Sequence, residues 1–401
     1  MSLNSTPSSA RTHIGIFGRR NAGKSSIINA LTGQNLAIVS DVKGTTTDPV
    51  LKAMELLPLG PVVIIDTPGL DDEGALGTLR MHKAYEMLNK TDIALLIVDG
   101  TSGITPEDNS ILNKIKEKQI PYIIIVNKAD LSDQAREISD DNMIWVSTVT
   151  GENIGQLKEL IGKQVPTDPS ERHIAADLVK PLDLVVLVVP IDKAAPKGRL
   201  ILPQQQTIRD LLEAGAASIV VKETELAETL KKLGTVPALV ITDSQAFAEV
   251  AKNTPEEIPL TSFSILFARY RGGLDIMTNG VTSLDTLKDG DTVLISEGCS
   301  HHRQCDDIGT VKLPKMLKKH TGKKLNFEFT SGIEFPDDLT KYAAVIHCGG
   351  CMVNPREVQH RLAGAEKQNV PITNYGVAMA HMQGILERSL RPLGIHYQSQ
   401  N

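Results

Sequence analysis

The segment "GRRNAGKS", Gly18 to Ser25, follows the apolar run "HIGIF" and precedes "SIINALTG", which has helical periodicity. A G-x4-G-K-S pattern between a strand and a helix is the context in which a glycine-rich loop binds phosphate. The glycines let backbone N–H groups turn inward around phosphate oxygens at a helix N-terminus. Lys24 then reaches the terminal phosphates and the Ser25 hydroxyl ligates Mg2+, with Gly18, Asn21, Ala22, Gly23 and Ser26 lining the loop.

Two further strand ends supply what such a loop needs. "DTPG", Asp66 to Gly69, closes the run "PVVII"; Asp66 would hold Mg2+ through water and the Gly69 N–H would sense the γ-phosphate. "NKAD", Asn127 to Asp130, closes "YIIIV" and brings Asn127, Lys128 and Asp130 to the nucleotide. A carboxylate at Asp130 can accept hydrogen bonds from both the N1–H and the 2-amino group of guanine. Adenine lacks that donor pair, so the expected nucleotide is GTP.

The surrounding pattern is α/β. From Ile14 to Leu160, short apolar runs alternate with helix-length stretches, the rhythm of βαβ units on a parallel sheet, and residues 9–168 are expected to form one phosphate-loop domain. "QVPTDPSERHIAADLVKP" reads as a linker. Residues 182–262 repeat the alternation on a smaller scale, with strands in "LDLVVLVVP", "ASIVV", "PALVITD" and "PLTSFSI" and helices at 203–214 and 223–233. Residues 263–401 form a third α/β segment that carries all four cysteines.

Gly18 to Ser25, "GTTTD" at 44–48, "DTPG", "NKAD" and "VST" at 146–148 resemble, in order and spacing, the motifs of GTPases of the Era and tRNA-modification type. The resemblance implies GTP hydrolysis. It implies that Thr46, or else Thr45, closes on Mg2+ and the γ-phosphate, and that Ser147 and Thr148 belong to the guanine loop. Leu70 follows "DTPG" where Ras-like enzymes carry a water-orienting glutamine, and Asn21 matches the asparagine that helps hold K+ in potassium-activated members. K+ activation is therefore expected. A loop residue capping its own turn is the alternative for Asn21.

The cysteines specify the rest. "EGCSHHRQC" follows the strand-like "DTVLI" and "HCGGC" follows "YAAVI", giving CxH, forty-five residues, then HCxxC. This spacing, with the domain order, resembles the family of FeFe-hydrogenase maturation GTPases. The resemblance implies that Cys299, Cys348 and Cys351 ligate a 4Fe-4S cluster and that the middle domain makes a homodimer. It also implies a scaffold that takes a di-iron precursor from radical-SAM maturases and delivers it to apo FeFe-hydrogenase. Cys305 lies outside the signature. A saturated cluster has four ligands, so one iron would keep a weaker one, with His301, Asp306, Asp307, Cys305 or solvent as candidates. A structural zinc site is the competing use of the same side chains. His301 and His347 each stand open as ligand, hydrogen-bond donor or polar loop residue; His302, His320 and His360 read as surface histidines, and Met352, Met379 and Met382 as core.

Composition bounds these expectations. At 401 residues, with 41% hydrophobic and 22% charged residues, the chain fits two or three globular domains. A net charge of -6 gives no general drive toward nucleic acid. No stretch reaches the roughly 18 apolar residues of a membrane span, and "MSLNSTPSSARTH" has no apolar signal core. A cytoplasmic protein is expected, where clustered thiols serve metals or redox chemistry more than disulfides. A ribosome- or tRNA-associated GTPase with a zinc appendage and a GTP-gated iron–sulfur redox switch are the alternative functions.

Overall fold

The computed structural model describes residues 6–33, 49–57, 59–69, 81, 83–131, 141–164, 172–191, 200–298, 307–332, 334–351 and 353–397. The chain forms two compact units, Met1–Pro169 and Ser170–Asn401.

The first unit is built on a six-stranded sheet: β1 (Thr12–Gly18), β2 (Val50–Leu56), β3 (Gly60–Asp66), β4 (Ile93–Asp99), β5 (Tyr122–Asn127) and β6 (Met143–Trp145), in the order β2-β3-β1-β4-β5-β6. All neighbours are parallel except β2 with β3. The β1, β4 and β5 interiors are apolar at successive positions because both sheet faces are covered. Ile14, Ile16, Leu95 and Ile125 pack on one side, and Phe17, Leu96, Val98 and Ile124 on the other. The antiparallel β2 carries no apolar run: it is an edge strand with Val50 and Leu51 exposed.

The second unit contains two four-stranded parallel sheets. One is β7 (Leu184–Val188), β8 (Ala217–Val221), β9 (Leu239–Thr242) and β10 (Leu260–Ser262), ordered β10-β9-β7-β8. The other is β11 (Thr292–Glu297), β12 (Asn326–Ser331), β13 (Ala344–His347) and β14 (Ile372–Asn374), ordered β12-β11-β13-β14. One apolar cluster runs from Val186 and Val240 through Ile265 and Leu294 to Leu390, so the two sheets share a core.

Two details depart from the sequence pattern. The linker ends by Ile174: Ile174 and Ala175 are buried, and the N–H groups of Ala175 and Ala176 both donate to Asp210 Oδ2 at 2.7 Å. "PLTSFSI" is a strand only to Ser262, whose hydroxyl accepts from the Ile265 N–H at 3.3 Å and starts the helix Phe263–Tyr270. The apolar β7 is an interior strand, flanked by β8 and β9. The free edge next to it is β8, where Val220 is 44% exposed. No helix among the described residues is long and apolar enough to cross a membrane.

Candidate functional site

In the first unit the C-terminal ends of β3, β1, β5 and β6 lie along one sheet edge, and β1 sits between β3 and β4, where connections diverge to opposite sides. That switch point is where open parallel sheets bind ligands. Gly18, at the end of β1, starts the loop that reaches the helix Lys24–Thr32. Gly23, before that helix, has φ 99°, and a Cβ there would run into Asn127 Nδ2. Only glycine lets the loop close against "NKAD" in this way. Asn127 Nδ2 donates to the Ala22 carbonyl at 3.1 Å, which ties the phosphate loop to the guanine loop. Lys24 Nζ donates to the carbonyls of Gly18 at 2.9 Å and Arg19 at 2.8 Å, which holds the ammonium over the loop. Asn21 occupies the loop with φ 59°, and Ser25 and Ser26 begin the helix.

Asp66 ends β3 with Gly69 three residues on. Burial pushes the Asp66 carboxyl above its ordinary range, against the pull of Lys24 and Lys52. Asp130 Oδ1 accepts from Ser147 Oγ at 2.5 Å, and the same hydroxyl accepts from the N–H groups of Val149 and Thr150. Ser147 thus fixes the carboxylate and its own loop, which includes Thr148. Lys128, with φ 65°, pairs with Asp99 at 2.5 Å. Thr45, Thr46 and Leu70 lie outside the described residues.

In the second unit the strand ends "DTVLI", "AAVIH" and "VPITN" are parallel neighbours: Ser296 pairs with His347, and His347 with Asn374. The Gly298 N–H donates to Cys348 Sγ at 3.0 Å and the Gly350 N–H donates to it at 3.3 Å. Burial pushes the Cys348 thiol up, and these two N–H groups oppose the shift. Gly350 has φ 62°, and a Cβ there would lie 2.8 Å from Arg271 Nη1, so the tight "CGGC" turn needs it. Asn354 caps the following helix, Pro355–Lys367, by accepting from the Glu357 N–H at 3.1 Å.

Two buried arginines brace this edge. Arg271 Nη1 donates to the carbonyls of Gly349, at 3.2 Å, and Gly350. Burial lowers its pKa, while Cys351 and Cys348 oppose that. Its Nε is buried without a hydrogen-bond partner among the described residues. Arg361, 1% exposed, donates to Glu357, to the Gly332 carbonyl and to His347 Nε2 at 3.0 Å. His347 Nδ1 lies 2.6 Å from the Cys348 carbonyl, so Nδ1 carries the proton and Nε2 accepts from Arg361. Burial, then the Arg361 charge, lowers its pKa to about 3. Both nitrogens are engaged, which makes His347 a strut of the loop. Asp307 caps its own turn, accepting from the N–H and hydroxyl of Thr310 at 2.9 and 3.0 Å. Cys299, His301, His302, Cys305, Asp306 and Met352 lie outside the described residues. Met379 is core, as expected, with Met382 packed against it.

The donor set fits an anionic metal–thiolate group. Partly buried N–H groups aim at a sulfur, and a buried guanidinium whose Nε has no hydrogen-bond partner among the described residues stands beside two cysteines. Arg271 and Arg361 carried no sequence signal: each belongs to no ligand motif, and Arg361 lies in a helix whose other charges look like a solvated face.

The nucleotide edge defines a P-loop GTPase domain, and a family model for the 50S ribosome-binding GTPase matches residues 13–128. Models for the hydrogen maturase F dimerization and tetramerization domains match residues 174–272 and 275–392. The chain belongs to the hydrogen maturase F (HydF) family. Its first unit is similar to the tRNA modification GTPase MnmE of Nitrosomonas eutropha, 36% identical over 156 residues, 37% of this chain and 34% of that protein. The MnmE of Nitrosospira multiformis is 35% identical over 178 residues, 41% of this chain and 39% of the relative. The matches thus span little more than a third of these curated relatives. Among solved structures, Aquifex aeolicus Era bound to GDP.AlF4- is 21% identical, with 55% of this chain and 98% of that one covered and a TM-score of 0.35.

Proposed function

We propose that this protein is a cytoplasmic GTP-hydrolysing scaffold and carrier of FeFe-hydrogenase maturation, which accepts a di-iron precursor from radical-SAM maturases and delivers it to the apo-hydrogenase. The observation that carries this is the meeting of two strand ends: the Gly298 N–H, one residue before Cys299, donates to Cys348 Sγ at 3.0 Å. Cys299, Cys348 and Cys351 are the ligands of a 4Fe-4S cluster in this proposal, with His301, Asp306, Cys305 or solvent on the remaining iron. When bound, the cluster supplies an anionic attachment point with one exchangeable iron. The chain's own groups prepare for it: the N–H groups of Gly298 and Gly350 stabilise the Cys348 thiolate, Arg271 compensates buried negative charge, and Arg361 holds His347 away from ligation.

In the nucleotide domain Lys24 and the loop N–H groups receive the phosphates, Ser25, Thr46 and Asp66 serve Mg2+, Gly69 senses the γ-phosphate, Asn21 serves K+, and Asp130 selects guanine. The direct test loads the protein, without oxygen, with precursor from the radical-SAM maturases and adds it to apo FeFe-hydrogenase. Hydrogen evolution is the expected result. Failure to activate, with GTPase and iron content normal, would sink the carrier assignment.

Self-association is supported by the dimerization and tetramerization models. We assign the homodimer to β8, an exposed parallel edge able to pair with a second copy. Light scattering should report a dimer for the full chain and for residues 170–401, and a monomer for Val220→Lys, whose charge blunts the edge. Monomers in both unsubstituted chains would remove the assignment.

A further inference from the structure

Asp285, His320 and His381 reach one point from three separate elements of the second unit. Asp285 lies in the 3-10 turn Thr282–Thr286, His320 in the last turn of the helix Leu313–Thr321, and His381 in the last turn of the helix Tyr375–Met382. His320 Nε2 is 2.7 Å from Asp285 Oδ1, and His381 Nε2 is 3.0 Å from both carboxylate oxygens. The ligand atoms all lie within 4.8 Å of one another. We propose that this triad is a metal site, separate from the cysteines, that takes a divalent first-row transition ion through the two Nε2 atoms and the Asp285 carboxylate.

The chemistry of the donors selects the ion. Two imidazoles and one carboxylate suit Zn2+, Co2+ or Fe2+, whereas Mg2+ and Ca2+ prefer all-oxygen shells. Three protein ligands leave a position for water, and the side chains of His320 and Asp285 are 26% and 35% exposed, so water can fill it. The buried partner is oriented from behind: Tyr397 Oη lies 3.0 Å from His381 Nδ1. With an ion bound, a proton on Nδ1 donated to that phenol oxygen would leave the Nε2 lone pair for the metal; without one, Nε2–H donates to Asp285 and the phenol donates to Nδ1. Both histidines also sit at helix C-termini, where the backbone dipoles favour a cation. Lys318 of the same turn as His320 is committed elsewhere, over the Phe327 ring.

The site is distinct from the cysteine edge. The helix that carries His381 begins there with Tyr375, whose hydroxyl donates to Glu297, and His381 follows six residues later, about 9 Å along the axis. An ion here would clamp the 282–286 turn to the ends of two helices. The competing arrangement is an ion-pair cluster that binds protons and no metal.

The two are separated by titrating the chelator-stripped, full-length protein with Co2+ under anaerobic conditions. Wild type is expected to take up one equivalent more than His320→Gln, with d–d absorption and no added thiolate charge-transfer band, and to gain thermal stability from Zn2+ that His320→Gln does not. Tyr397→Phe should weaken this equivalent about 10-fold, the scale of losing a bond that orients a ligand. His320 is partly exposed, so its replacement tests the site even where His381→Gln fails to fold. Equal Co2+ uptake and equal Zn2+ response in folded wild type and His320→Gln would overturn the proposal.

Discussion

Lys24→Ala is expected to lower kcat/KM for GTP by at least about 10²-fold, the scale seen when one preorganised donor to developing charge is removed. Phosphoryl transfer asks little covalent chemistry of a protein, so positioning and charge stabilisation supply most of the acceleration. Lys24 is held over the loop by the Gly18 and Arg19 carbonyls, which it can exchange for anionic phosphate oxygens, the stronger acceptors for an ammonium. Alanine leaves the loop backbone intact but removes that charge. Phosphate release should show GTP and not ATP turnover in wild type, faster in K+ than in Na+, since Asn21 is present and Leu70 stands where a water-orienting glutamine would be. Undiminished turnover in Lys24→Ala would mean that the loop has been misread, and equal rates in the two salts would remove the cation from the mechanism. Iron content should survive the substitution, because the cysteines belong to the other compact unit, with its own core.

The sequence made some of this legible and not the rest, for physical reasons. β1, β3, β4 and β5 could be read because strands buried on both faces are continuous apolar runs. β2 could not: Lys52 and Glu55 interrupt its "VLKAMEL", which is neither a continuous apolar run nor a clean alternation, and as an edge strand it leaves most of its side chains partly exposed. The helix after Ser262 was hidden because "SFSILF" is apolar enough for either structure, and the decision rests on one hydroxyl capping one N–H. The parallel pairing of β11 with β13 was legible from two apolar runs that each lead into a cysteine motif, since such neighbours bring their ends to one edge. The braces of that edge were not, because a buried arginine such as Arg361 looks in sequence like any surface charge until His347, Glu357 and the Gly332 carbonyl surround it. The Asp285, His320 and His381 cluster follows no ligand spacing at all. His320 read as a surface histidine, and only the packing of two helix ends against one turn brings it to the carboxylate.

Cys348→Ser should remove most of the bound iron, as should Cys299→Ser and Cys351→Ser, whereas Cys305→Ser should leave it. A serine hydroxyl ionises far less readily than a thiol and is a harder donor, so it holds iron–sulfur clusters weakly. The effect should be large at Cys348, because its sulfur is the acceptor for two backbone N–H groups that a shorter C–O bond would reach poorly. Arg271 would then face the "CGGC" loop without the anionic partner that offsets its burial. Iron and sulfide analysis of anaerobically reconstituted protein reads the outcome directly. Loss of iron in Cys305→Ser, with folding restored by zinc, would instead make the site a four-thiolate structural knuckle and leave the carrier without its attachment point. Where the three-cysteine arrangement holds, one iron stays open to exchange, and added imidazole or cyanide should shift the electron paramagnetic resonance spectrum of the reduced cluster. An unchanged spectrum at saturating ligand would mean a closed coordination shell, and a di-iron cargo would then have to be held by protein groups alone.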